Sequence, residues 1–197
     1  MDELPLDHGL FGRLRRDAGP IWDEYVSHRF VRALGAGTLP EAAFAQFLRQ
    51  DYLFLIHFAR AYALAGYKSA NLAELRSAAA AVSAIVDVEM PLHVAYCAGW
   101  GLTEAQMQAE PEAIETMAYT RFVLERGMAG DRLDLEVALA PCVVGYAEAV
   151  ARLLADPATQ TQGNRYAAWI DAYAGVEYRA LVTASIENLD RQGLARG

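Results

Sequence analysis

Along nearly the whole chain, apolar residues recur at spacings of three and four, the period of one face of an α-helix. Leu10 to Arg16 forms a short amphipathic start. Ile21 to Leu34 follows Gly19-Pro20 and stops at the helix-ending run Gly35-Ala36-Gly37. Thr38 reads as an N-cap with Glu41, three residues on, as its capping-box partner. The helix it opens runs to about Tyr67. A long helix from Ser69 to Ala98 is crossed by Pro91, and Gly99 to Thr103 is a turn whose Thr103 caps a short helix. Pro111 to Arg126, ended by Gly127, and Leu133 to Leu154 come next. Past the polar loop from Asp156 to Gly163 lie Asn164 to Tyr173 and Val176 to Asp190. No alternating strand pattern bounded by turns, fixed-period repeat or low-complexity linker interrupts this order. The pattern predicts a single all-α domain over residues 1–197.

Composition narrows the function classes. The chain has 197 residues, of which 54% are hydrophobic, enough for one ordered domain with a sizeable core. A formal net charge of −8 leaves no basic footprint for a nucleic acid. The acidic start Met1-Asp2-Glu3-Leu4-Pro5 does not read as a signal peptide. No apolar stretch is long enough to span a bilayer without charges, so no membrane partner is expected. Cys97 and Cys142 are the two cysteines, most simply thiols in a reducing cytoplasm.

Two helical stripes carry the candidate chemistry. Phe44, Phe47, Asp51, Phe54, Phe58 and Tyr62 fall on one face, which places Asp51 in a core-facing aromatic stripe. A carboxylate there needs donors or a proton. It is either a satisfied core aspartate or a group that meets a polar ring inside an aromatic pocket. Leu135, Leu139, Cys142, Tyr146, Ala149 and Leu153 form the second stripe. Cys142 there is either packing or a nucleophile. Pro141 before it removes a helical hydrogen bond and crowds the preceding turn, a local fault of the kind found at functional sites. Cys97 sits at a helix end and reads as structural. Packed together, the two stripes would enclose one pocket walled by Tyr119, Tyr146 and Tyr173. Glu89 and His93 share a helical face, but one Glu-x-x-x-His pair with few other histidines is a weak metal signal, and no metal or haem is expected. His57 lies out of the stripe's register and reads as a surface or interface residue. Dinucleotide, phosphate-loop and serine-hydrolase motifs are absent from the sequence.

Gln50-Asp51-Tyr52-Leu53-Phe54-Leu55, Ala118-Tyr119, Pro141-Cys142-x-x-Gly145-Tyr146 and Trp169-Ile170-x-x-Tyr173 resemble the TenA/thiaminase II family in order and approximate spacing. The resemblance runs from about Leu10 to Asp190, and Glu89-x-x-x-His93 sits where that family tends to have such a pair. It implies a haem-oxygenase-like helical bundle, usually a homotetramer, that uses no cofactor. It implies hydrolysis of aminopyrimidines, chiefly 4-amino-5-aminomethyl-2-methylpyrimidine, and slower cleavage of thiamin, giving hydroxymethylpyrimidine for thiamin synthesis. Carried over by residue, Cys142 is the nucleophile and Asp51 holds the pyrimidine's amino group and ring nitrogen. Tyr146 bonds near the thiol, while Tyr119 and Tyr173 line the pocket. Phe54 stands where many relatives have a tyrosine, and Val143 where they often have an aromatic residue. The family's catalytic glutamate lies on a final aromatic-rich helix that does not occur before Gly197, so either the sequence stops short of the whole protein or this protein lacks the usual proton-transfer group; Glu187 belongs to the preceding helix and does not inherit the role. Two further readings stay open: a helical bundle that binds a ligand or partner without catalysis, and a metal or haem oxidoreductase on the same fold.

Overall fold

A computed structural model describes residues 4–196. Among the described residues the regular structure is helical, with no strand. The helices are α1 (Gly9–Ala18), α2 (Pro20–Val26), α3 (Arg29–Gly35), α4 (Glu41–Tyr67), α5 (Leu72–Ser83), α6 (Met90–Ala98), α7 (Glu104–Ala109), α8 (Ile114–Ala129), α9 (Arg132–Ala155), α10 (Ala167–Ala174) and α11 (Val176–Arg196). A π-helical stretch, Ala84–Glu89, joins α5 to α6. The residues group into two compact units. Pro40–Ala138 makes one, and the residues up to Leu39 with those from Leu139 onward make the other.

In the Pro40–Ala138 unit, α5, α6, α7 and α8 pack on α4. The buried face of α4 is Phe44, Leu48, Tyr52, Leu55, Ala61 and Ala65. This corrects the stripe expected as core: Phe44 is buried, while Phe47, Asp51, Phe54, Phe58 and Tyr62 lie alongside at intermediate exposure. Gly127 does not end α8 as predicted but lies within it. A Cβ at Gly127 would lie 2.8 Å from both Leu135 Cδ1 and Leu64 Cδ2, so the missing side chain lets α8 close on its neighbours. Thr103 caps α7 as predicted, in a capping box with Gln106. Pro91 is absorbed without a break, because the wider π-turn just before it eases the crowding a proline imposes on the preceding turn.

In the other unit the predicted helix from Ile21 to Leu34 is two helices. The chain leaves helical geometry at Ser27 and His28, and His28 Nδ1 accepts the Phe30 N–H to cap α3. Thr38 does not cap α4. Its N–H and hydroxyl both donate to the Ala33 carbonyl, at 2.9 and 3.4 Å, closing α3 instead. Pro40 then opens α4 with no side-chain cap. Asn164 donates to the Leu34 and Gly35 carbonyls at 3.0 Å, and Tyr166 donates to Leu39 O, tying the entry to α10 onto the end of α3.

The unit's hub is Glu148 on α9, with a side chain only 4% exposed. It accepts from Arg15 Nε and Nη2 (2.9 and 2.6 Å), Trp22 Nε1 (2.7 Å) and Arg152 Nε and Nη2 (3.0 and 2.6 Å). Burial opposes its ionisation, but the hydrogen bonds from Arg15, Trp22 and Arg152 outweigh burial and hold its pKa below the ordinary glutamate value.

Two helical stretches, Leu72–Ala98 and Arg132–Ala155, are long and apolar enough to cross a membrane. Both carry charges, Asp87 and Glu89 in the first and Glu148 and Arg152 in the second. The apolar part of the second is mostly buried in the fold, as in a core helix.

Glu148→Ala is expected to destabilise the protein by about 3 kcal/mol, the low end for a broken buried ion pair, because Arg15 and Arg152 both reach solvent. A depressed folded pKa stabilises above the unfolded carboxyl pKa and is lost as pH falls through the folded one. Wild-type melting temperature should therefore drop in acid more steeply than that of Glu148→Ala, as read by thermal denaturation between pH 3 and 7.

Candidate active site

Asp51 sits on α4 with its side chain 15% exposed. Burial pushes its carboxyl pKa up to about 7. Glu89, at the end of the π-turn, keeps contact with solvent, yet it too is raised to about 7, first by burial and then by the charge of Asp51. His93, one helical turn on, has its pKa lowered by burial. Its Nε2 lies 3.0 Å from the Leu48 carbonyl and its Nδ1 3.5 Å from Asp51 Oδ2. Cys97 is fully buried, and its thiol is pushed up to about 12 by burial and by Asp51. Asp51, Glu89 and His93 are thus all held toward their neutral forms.

Beside it runs an aromatic ladder. Phe54 stacks on Phe58 (5.4 Å between centroids) and on Tyr119 (6.1 Å), and Phe58 meets Tyr62 edge-on (5.0 Å). Tyr119 is set by its hydroxyl, which donates to Ala138 O at 3.0 Å. It is also set through Gln50, next to Asp51. Gln50 Oε1 accepts the Ala113 N–H (2.8 Å) and the Thr116 hydroxyl (2.9 Å), capping α8 from α4. His57, expected as a surface or interface residue, is largely covered within its own unit. Its side chain is 11% exposed, with Nε2 2.8 Å from Glu112 and 3.0 Å from Arg121, which joins α4 to the start of α8.

Cys142 lies on α9 in the other unit, half-buried, with its thiol donating to the Leu139 carbonyl at 3.0 Å. Tyrosines clamp its turn. Tyr25 donates to Pro141 O at 2.9 Å, and Tyr178 to Val143 O at 2.8 Å. Burial, and then the charge a Cys142 thiolate would carry, raise the Tyr25 pKa, so its hydroxyl stays a donor although solvent reaches part of its ring. Gly145 makes the clamp possible, since a Cβ there would fall 2.4 Å from Tyr25 Cε1. Tyr146 packs on Tyr173 (4.9 Å) and Trp169 (5.8 Å), and Tyr173 meets Tyr178 edge-on (4.9 Å).

Residues 15–193 match the TENA/THI-4/PQQC family. The chain belongs to this family. It is 35% identical over 179 residues to an aminopyrimidine aminohydrolase of Halalkalibacterium halodurans, covering 91% of this chain and 80% of that protein. It is 30% identical over 182 residues to an aminopyrimidine aminohydrolase of Helicobacter pylori, covering 92% and 83%. Among solved structures it resembles one described as a TenA family transcription regulator from Silicibacter sp. TM1040. That match has a TM-score of 0.86 and 47% identity, over 94% of this chain and 80% of that one.

For this TenA-family chain, Asp51, Phe54 and Tyr119 fall in the Pro40–Ala138 unit, and Cys142, Tyr146 and Tyr173 in the other. Phe54 stacks on Tyr119 in the first, and Tyr146 packs on Tyr173 in the second. Sequence reasoning missed Tyr25, Tyr178 and the approach of His93 to Asp51. Gly145, a glycine inside an otherwise apolar helix, was the one signal that another side chain must come close there. Among the described residues no group of three or more His, Cys, Asp or Glu side chains is arranged to hold a metal ion.

Gly145→Ala should push Tyr25 off the Pro141 carbonyl, costing about 1–3 kcal/mol of stability. Tyr25→Phe, which loses only the hydrogen bond, should cost about 1 kcal/mol. Urea melts of both variants check the order.

Asp51 has a folded pKa of about 7 against an ordinary value of about 3.9. Between these values the unfolded chain binds fewer protons than the folded one, so stability falls as pH rises. Asp51→Asn removes that slope. The melting temperature of the variant minus that of wild type should be larger at pH 7.5 than at pH 4.5, and a flat or inverted difference would contradict the raised pKa.

Proposed function

We propose that this protein hydrolyses 4-amino-5-aminomethyl-2-methylpyrimidine, and thiamin itself, to hydroxymethylpyrimidine in thiamin salvage, with Cys142 as the nucleophile. The observation that carries the reaction class is family membership, together with relatives named aminopyrimidine aminohydrolase that match over most of both chains. The geometry supports the substrate's shape. A flat heteroaromatic ring suits the stacked faces of Phe54 and Tyr119, and Asp51 beside them meets the ring's amino-bearing edge. Tyr146 and Tyr173 supply aromatic walls one turn from Cys142.

An electron-poor pyrimidine accepts a thiolate. The Cys142 sulfur adds to a ring carbon, and the electron pair gained by the ring expels the amine from the exocyclic carbon. The amine takes a proton as it leaves. Water then adds to the exocyclic methylene carbon and gives up a proton, and the ring expels the thiolate, restoring aromaticity. With thiamin the leaving group is the thiazole, and the remaining steps are unchanged. Every group in this scheme belongs to the chain, the substrate or water, and no cofactor enters it.

The protein works as a homotetramer in the cytoplasm. Exposed apolar side chains from the end of α4 to α6 support self-association: Tyr67, Leu72, Leu75, Val86, Val88 and Leu92. Free thiols at Cys97 and Cys142 support a reducing compartment.

Cys142→Ser should lose at least a hundredfold in aminopyrimidine hydrolysis with its melting temperature kept. Cys97→Ser, at a fully buried site, should keep its turnover per folded molecule. Ammonia release from the aminomethylpyrimidine measures both. Equal losses, or an active Cys142→Ser, would overturn the nucleophile.

A further inference from the structure

The approach of His93 to Asp51 has no role in the scheme above. His93 reaches across from α6 and is fixed at both ring nitrogens. Nε2 lies 3.0 Å from the Leu48 carbonyl. A carbonyl can only accept, so Nε2 carries the hydrogen. In the neutral imidazole Nδ1 is then a bare lone pair, and it faces Asp51 Oδ2 at 3.5 Å, the outer limit of a hydrogen bond. Two lone pairs facing each other repel, so the contact is favourable only with a proton between them.

We infer that His93 is a positioning residue that draws the Asp51 proton onto Oδ2, leaving Oδ1 as a pure acceptor that selects 4-amino over 4-oxo pyrimidines. The inference rests on the reading of Asp51 as the group that meets the pyrimidine.

The surroundings favour the neutral pair. Burial raises Asp51 and lowers His93, so an ion pair is disfavoured at both ends. The other titratable groups near Asp51 are Glu89 and Cys97. A charge on either disfavours an Asp51 carboxylate. Tyr52, beside His93 with ring centroids 6.5 Å apart, is turned away to Glu104 through its hydroxyl. A free carboxyl can present O–H or C=O to a ligand by moving its proton from one oxygen to the other. With the proton held toward His93, Oδ1 accepts from an exocyclic amine and meets an exocyclic oxygen lone pair to lone pair. A buried site built for one pattern rejects the other strongly.

The test measures binding of 4-amino-2-methylpyrimidine and 4-oxo-2-methylpyrimidine by calorimetry at pH 6, below the raised Asp51 pKa, in wild type, His93→Phe and Asp51→Ala. His93→Phe keeps a flat ring beside Tyr52 and removes both nitrogens. Wild type should prefer the amino compound, and His93→Phe should lose at least tenfold of that preference. A preference unchanged in His93→Phe would overturn the role of His93 while leaving the reading of Asp51 intact. Unchanged binding of the amino compound in Asp51→Ala, which has no acceptor at that position, would overturn that reading itself. Should His93→Phe fail to fold, 15N spectra of histidine-labelled wild type decide. A neutral His93 with hydrogen on Nε2 and a bare Nδ1 supports the inference, and a hydrogen on Nδ1 overturns it.

Discussion

A carboxylate sealed in an apolar interior must be met by donors or give up its charge, and much of one unit is arranged around that demand at Glu148. Its oxygens take hydrogen bonds from Arg15 on α1, Trp22 on α2 and Arg152 one turn along α9. Those bonds hold α1 and α2 on α9. With α2 in place, Tyr25 lands on the Pro141 carbonyl, and Gly145 gives its ring room. The turn that carries Cys142 is thus placed by an ion cluster more than one helical turn away.

Asp51 meets the same demand in the opposite way. Among the described residues no arginine is bonded to it, and burial raises its pKa instead. The cost is stability at neutral pH, which a carboxyl that ionises easily would not forfeit. The return is a carboxyl held toward its neutral form beside a ladder of aromatic rings, a surface able to recognise an uncharged heterocycle. Such a trade between stability and recognition is typical of active sites.

Helices are local, and periodicity with a few punctuating residues was enough to read most of them. The long helix to Tyr67 and the capped start at Thr103 follow from residues within one or two turns of each other. The expected outline broke down where a local signal had a competing partner. Thr38 carries the right side chain to cap α4, but the Ala33 carbonyl, brought round by the end of α3, takes its hydroxyl. Gly127 has the residue type that ends helices, yet it serves close packing against Leu64 and Leu135. Such choices depend on what lies across the fold.

The site divides the same way. The sequence by itself determined the helical class, and its motifs singled out Asp51, Phe54, Tyr119, Cys142, Tyr146 and Tyr173 as candidates with a resemblance to one family. It also set the aromatic period of α4. Tertiary structure alone decided which face of α4 is sealed, with Leu48, Tyr52 and Leu55 buried and Asp51 and Phe54 at intermediate exposure. It alone decided that His93 comes within 3.5 Å of Asp51, that Tyr25 and Tyr178 hold the Cys142 turn, and that the Glu148 pKa is held below the ordinary carboxyl value while that of Asp51 is raised above it. The reason is physical. A hydrogen-bonded helix depends on neighbours a turn apart. A side chain's burial, donors and pKa depend on whichever distant segments packing brings against it.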